Sequence, residues 1–91
     1  MTGAIPHGPV PHSADARVVV YSRAGCHLCE VAERVVESVA AETGTAWLRV
    51  DIDTDPALAR FSDEVPVTFV DGRQHDFWRV DADRLRRALG A

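Results

Sequence analysis

Lysine is absent from this 91-residue chain, and all ten basic residues are arginine. That leaves cysteine as the only obvious nucleophile, and there are just two cysteines. No apolar run approaches the roughly 20 residues that a bilayer-spanning helix needs. The first sixteen residues hold neither a charged start nor an apolar stretch, so no secretory signal is expected. Basic clusters are equally scarce. Only Arg84, Arg86 and Arg87 gather, against a net charge of −4, so the concentrated positive face that a nucleic acid requires is missing. Two cysteines separated by two residues make a poor staple, because so small a loop removes little chain entropy. The expectation is a cytoplasmic protein whose cysteine pair is catalytic, with neither membrane nor nucleic acid as partner.

What is present fits one small domain. Residues 1–16 carry Pro6, Pro9 and Pro11 with Gly3, Gly8, His7 and His12 and show no periodicity, so they are expected to form a flexible tail. Residues 17–91 form the domain, and a unit that small buries only about 60 % of its unfolded surface. Residues 17–22 include Val18, Val19, Val20 and Tyr21, which predicts a buried strand. Residues 26–43 predict a helix, because Leu28, Val31, Ala32, Val35, Val36, Val39 and Ala40 recur at helical spacing. Glu30 and Arg34 stand four apart on its other face, and Gly44 stops it. A second strand is expected over 46–52. Asp55-Pro56 then opens a short helix, with Asp55 as cap and Pro56 at the first helical position. A third strand over 67–70, the hairpin signal Asp71-Gly72 and a returning strand over 74–78 follow. A last helix over 82–89 is capped by Asp81 or Asp83, with Val80 able to staple onto Leu85. The order β-α-β-α-β-β-α implies an α/β fold. Its four-stranded mixed sheet pairs the first two strands in parallel and carries helices on both faces.

Cys26-His27-Leu28-Cys29 falls where the first strand turns into the first helix. Unpaired backbone N–H groups and the helix dipole there favour an anion, and the thiolate is the reactive form of cysteine. The dipole contributes about 0.3–1 kcal/mol, at best about 2, so alone it lowers a thiol by roughly one pKa unit. Cys29, one turn deeper, suits the resolving role in thiol–disulfide exchange. The same spacing also forms half of many zinc sites, and a cysteine pair can be merely buried. With His7 and His12 it could complete a zinc site, although a tail is a poor source of preorganised ligands. His75 is a weaker signal. His27 is expected to be an exposed helix residue, and Trp47 and Trp78 to be packing or edge residues.

The stretch Tyr21-Ser22-Arg23-Ala24-Gly25-Cys26-His27-Leu28-Cys29 resembles the active-site segment of glutaredoxins, within the thioredoxin-fold superfamily. Val65-Pro66-Val67-Thr68-Phe69 resembles their Thr-Val-Pro segment, and Asp71-Gly72 the hairpin that follows. The resemblance covers about residues 17–90. It implies a thioredoxin-like fold of glutaredoxin type, catalytic Cys26 and Cys29, and a cis Val65–Pro66 bond beside them. The Val65 N–H and C=O would then be open to pair with a substrate chain. It also implies substrate contacts from Arg23, Val65 and Pro66, with Arg23 able to bind a carboxylate. Two departures stand out. Glu64 replaces the usual threonine, and Val80-Asp81-Ala82-Asp83 stands where glutaredoxins carry Gly-Gly-x-Asp, with Asp83 in the acidic position. Without those glycines, close backbone approach to the γ-glutamyl end of glutathione is lost, so glutathione is expected to be a poor partner.

The leading expectation is a monomeric dithiol oxidoreductase acting on disulfide-containing proteins or small thiol substrates. It needs no tightly bound cofactor beyond the Cys26–Cys29 disulfide, and an external thiol or flavoprotein reductant restores the pair. A metal or iron–sulfur binding module and a non-catalytic interaction domain remain as alternatives.

Overall fold

The computed structural model describes residues 16–90. Apart from Ala16, which is buried, the expected tail and its His7 and His12 lie outside the described residues. Strand β1 (Val18–Ser22) is buried along its whole length. It runs parallel to β2 (Trp47–Asp51) and antiparallel to β3 (Val67–Val70), and β4 (Arg73–Phe77) completes the order β2-β1-β3-β4. A central strand covered on both faces explains why its sequence reads as continuously apolar rather than alternating.

Alternation decides which layer each residue joins. Val18 and Val20 point to the same side as Val70 and meet Val36 and Val39 of α1 (His27–Thr43) with Leu85 of α2 (Ala82–Ala88). Val19 and Tyr21 point the other way, into a cluster with Ile52, Leu58, Phe61, Val67 and Phe69. Tyr21 lies 5.1 Å between ring centroids from both Phe61 and Phe69, and such pairs add about 0.5–1.5 kcal/mol each beyond their buried area.

The short helix expected after Asp55-Pro56 is present as the 3-10 segment Pro56–Phe61, capped by Asp55 with Pro56 at its start, and a further 3-10 turn, Ile52–Thr54, precedes it. Asp51 accepts from the Asp53 N–H and Asp55 from the Ala57 N–H, both at 2.9 Å. Each bond satisfies an N–H at the start of its segment, as an N-cap does. Asp71 (φ 52°) and Gly72 (φ 82°) form the hairpin turn, as their left-handed tolerance foretells. The β3–β4 register shifts by one between Thr68 and Phe69, which leaves His75 as the extra residue of a bulge. Asp81 caps α2, and Val80 packs onto the cluster that contains Leu85.

One expectation about α1 needs correction. Ala32, Val36, Val39 and Ala40 are buried, but Leu28 and Val31 of the same stripe are 49 % and 40 % exposed. Cys29 and Ala32 of the same turns are only 1 % and 2 % exposed, so the helix turns its Cys29, Ala32, Val36, Val39 and Ala40 side inward and leaves Leu28 and Val31 at the border of the apolar arc. Nor do Glu30 and Arg34 pair. Glu33 instead meets Arg49 of β2 at 3.1 Å.

Candidate active site

The link from β1 into α1 is short: Arg23, Ala24, then Gly25 at φ 74°, a backbone that favours glycine. It delivers Cys26 to the cap position of α1 in extended conformation. Cys26 and Cys29 form a disulfide with Cα atoms 5.2 Å apart. The Cys29 N–H donates to Cys26 Sγ at 3.1 Å, so the outer sulfur occupies the place that a serine or aspartate oxygen takes in an ordinary helix cap. Cys26 is half-buried, whereas Cys29 is 1 % exposed. When the bond is reduced, a charge on Cys26 faces a backbone donor and the positive end of a 17-residue helix. The inner thiol has no such access to solvent. His27 is exposed, as expected.

Val65–Pro66 is cis. Because Tyr21 pairs with Val67, this bond lies at the same end of the sheet as the start of the cysteine loop. Pro66 is fully buried, so the half-buried Val65 is the more accessible of the two. The expected open donor on Val65 is corrected by the structure: its N–H donates to the Phe61 C=O at 3.1 Å. The cause is the turn that closes the Pro56–Phe61 segment, which also draws the Glu64 N–H to Phe61 at 2.8 Å.

Arg23 is likewise engaged. Its guanidinium reaches both carboxylate oxygens of Asp53, at 3.1 and 3.3 Å. In the segment that stands for Gly-Gly-x-Asp, Val80 packs inward. Asp81 accepts the Arg84 N–H at 3.0 Å, and that backbone bond holds its carboxyl below the usual range. Asp83 accepts from Arg86 at 2.7 Å. Among the described residues no three His, Cys, Asp or Glu side chains gather as metal ligands do.

Trp78 is the residue that sequence reasoning missed. It lies just beyond β4 at φ 64°, a conformation that costs a bulky residue roughly 1–3 kcal/mol. Its N–H donates to the Pro66 C=O at 2.7 Å and its indole Nε1 to the Asp63 C=O at 3.1 Å. The ring is thus bound to the loop that carries Val65–Pro66 while staying 51 % exposed. The only sequence signal was a tryptophan at the end of a predicted strand, three residues before a helix cap. Ser22 and Thr68, fully buried with unpartnered hydroxyls, gave no sequence signal.

The comparisons with known proteins agree with this geometry. An uncharacterized protein of Mycobacterium tuberculosis is 40 % identical, the match spanning 77 % of this chain and 78 % of that protein. The crystal structure of a structural genomics target protein from X. campestris is 36 % identical with a TM-score of 0.65, over 80 % of this chain and 95 % of that one. Oxidized glutaredoxin 2 from Chlamydomonas reinhardtii, 19 % identical, shares the fold with a TM-score of 0.55 over 87 % of this chain and 76 % of its own. Residues 17–90 match the family described as Glutaredoxin-like domain (DUF836). With a thioredoxin-type sheet and a cysteine pair joined at the start of its first helix, the chain belongs to this glutaredoxin-like family and carries the elements of a thiol–disulfide redox site.

Proposed function

We propose that this protein is a dithiol oxidoreductase that reduces disulfide-containing proteins or small mixed disulfides, with Cys26 as nucleophile and Cys29 as resolving thiol. The observation that carries the reading is the unequal setting of the two sulfurs. Cys26 caps the helix and is accessible, and Cys29 is buried behind it.

In the dithiol state the Cys26 thiolate attacks one sulfur of the substrate disulfide. A Cys26–substrate bond forms, the substrate S–S bond breaks, and the departing thiolate takes up a proton. Cys29 then loses its proton and attacks Cys26 Sγ, which expels the second substrate sulfur as a thiol. Two electrons have passed from the protein to the substrate, and the Cys26–Cys29 disulfide remains. A thiol or flavoprotein reductant returns the pair to the dithiol. On this reading the protein works as a monomer in a reducing, cytoplasmic compartment. Val65 contributes its C=O and side chain to the substrate site, Pro66 positions them from below, and Arg23 contributes only when it leaves Asp53.

The test is turnover of a protein disulfide with excess dithiothreitol as electron source. The wild type is expected to accelerate reduction and Cys26→Ser to abolish the acceleration. A wild-type rate equal to that of dithiothreitol alone would overturn the proposal in favour of a binding role.

A further inference from the structure

Leu28, Val31 and Trp78 are the exposed large apolar residues of the described chain, and all three line one groove. Leu28, Val31 and Val35 form its helical wall at i, i+3 and i+7, a single stripe along α1. Trp78, Arg79 and Val80, from the segment between β4 and α2, line the rest of it. The volume is about 330 Å³. That is near the lower end of the roughly 300–1,000 Å³ of small-ligand pockets, a size suited to one or two side chains. The groove begins inside the Cys26–Cys29 motif itself, because Leu28 is one of its two inner residues. Trp78 is tied through its two hydrogen bonds to Asp63 and Pro66, so that part of the lining is set before any partner arrives.

The charge at the groove completes the pattern. Arg23, Arg84 and Arg86 each hold a carboxylate. Arg79 makes no ion pair among the described residues, and its neighbour Asp81 is spent on the helix cap. Arg79, unlike the occupied Arg23, is therefore available to a carboxylate beside the groove.

We propose that this groove selects the protein substrate: it takes an extended segment in which the disulfide cysteine is neighboured by a large apolar residue and then by an acidic one. The apolar side chain enters between Leu28, Val31 and Trp78 while the carboxylate meets Arg79. This rests on the redox reading above and narrows it, since a small thiol without an apolar side chain leaves the groove wet. Full burial of a leucine-sized side chain corresponds to roughly a 10- to 150-fold preference. An open groove that buries part of it gives about a fivefold one, and an exposed ion pair adds about threefold or less.

The experiment uses four peptides, each carrying its cysteine as a mixed disulfide with one aromatic thiol, with leucine or serine and aspartate or lysine placed after it. The same aromatic thiol as its symmetric disulfide is run alongside. The readout is the ratio of kcat/KM between peptides within each protein variant, which cancels differences in folded fraction. The expected result is a wild-type preference for leucine over serine of about fivefold and for aspartate over lysine of about threefold. Trp78→Ser removes the first ratio, Trp78→Phe restores part of it, and Arg79→Glu reverses the second. Equal kcat/KM for all four peptides, or ratios unchanged in Trp78→Ser and Arg79→Glu, overturns the groove proposal while turnover of the symmetric disulfide leaves the redox reading intact. Failure to reduce any disulfide, the symmetric one included, overturns both.

Discussion

Arg23 and Asp53 close on each other across the mouth of the cysteine loop, guanidinium to carboxylate at 3.1 and 3.3 Å. Both side chains are about half exposed, at 42 % and 54 %, so the pair is exchangeable yet competes with any incoming carboxylate. An exposed pair of this kind contributes about 1 kcal/mol or less. Asp53→Asn is therefore expected to raise kcat/KM for a glutathione mixed disulfide by about two- to fivefold, whereas Arg23→Gln lowers it or leaves it level. Steady-state kinetics of both variants decide the matter. A fall in Asp53→Asn would show that Asp53 supports the site.

The unequal burial of the cysteines makes a prediction about trapping. Cys29→Ser should accumulate a stable mixed disulfide on Cys26 when mixed with a disulfide substrate, and Cys26→Ser should accumulate none. Intact-mass spectrometry reads both directly. Adducts forming on Cys29 instead would reverse the roles.

Stability should fall on the acid side of neutrality because of His75. Burial holds its pKa below the ordinary 6.5, against an opposing pull from Asp76, and its Nε2 is buried without a partner. The folded state thus binds the proton less readily than the unfolded one. Full stability holds above about pH 6.5 and is lost as pH falls from there toward the lowered folded value. Asp71, held low by the Arg17 hydrogen bond, acts the same way only below its own ordinary value of 3.8. Urea titrations at pH 7.5, 6.5, 5.5 and 4.5 are expected to show the decline, and His75→Gln to flatten it. An unchanged slope in His75→Gln would assign the effect elsewhere.

Leu85 is fully buried and anchors a helix of only 7 residues. Leu85→Ala should cost about 2–5 kcal/mol, a large share of the few kcal/mol that a domain this size holds. Thermal unfolding followed by circular dichroism should show Tm lower by at least about 10 °C. A shift of only a degree or two would mean that α2 is not cooperative with the sheet.

The elements that local chemistry dictates were legible in the sequence. The valine run of β1, the Asp71-Gly72 turn, the Asp81 cap with its Val80 staple and the Cys26 helix start all depend on neighbours within a few residues. What escaped depends on how the elements are set against one another. Leu28 and Val31 belong to the same apolar arc as Val36 and Val39, and only the rotation of α1, which turns Cys29 and Ala32 inward, leaves them at its exposed border. The left-handed backbone of Trp78 has no glycine or asparagine to announce it. The capture of the Val65 N–H by Phe61 follows from the turn after the Pro56–Phe61 segment, and the bulge that leaves His75 as the extra residue has no sequence mark at all.

Arg17 gathers three parts of the chain at the end of β1 remote from Cys26. It grips Asp71 through two 2.9 Å bonds and reaches the Leu89 C=O at 3.2 Å, while its own C=O accepts the Asp71 N–H at 2.7 Å. Arg17 and Leu89 therefore meet at one pole, and the disulfide sits at the other, roughly 16 Å away along a five-residue strand. A tether to an electrode placed beside Leu89 would thus leave the cysteines facing outward, away from the point of attachment.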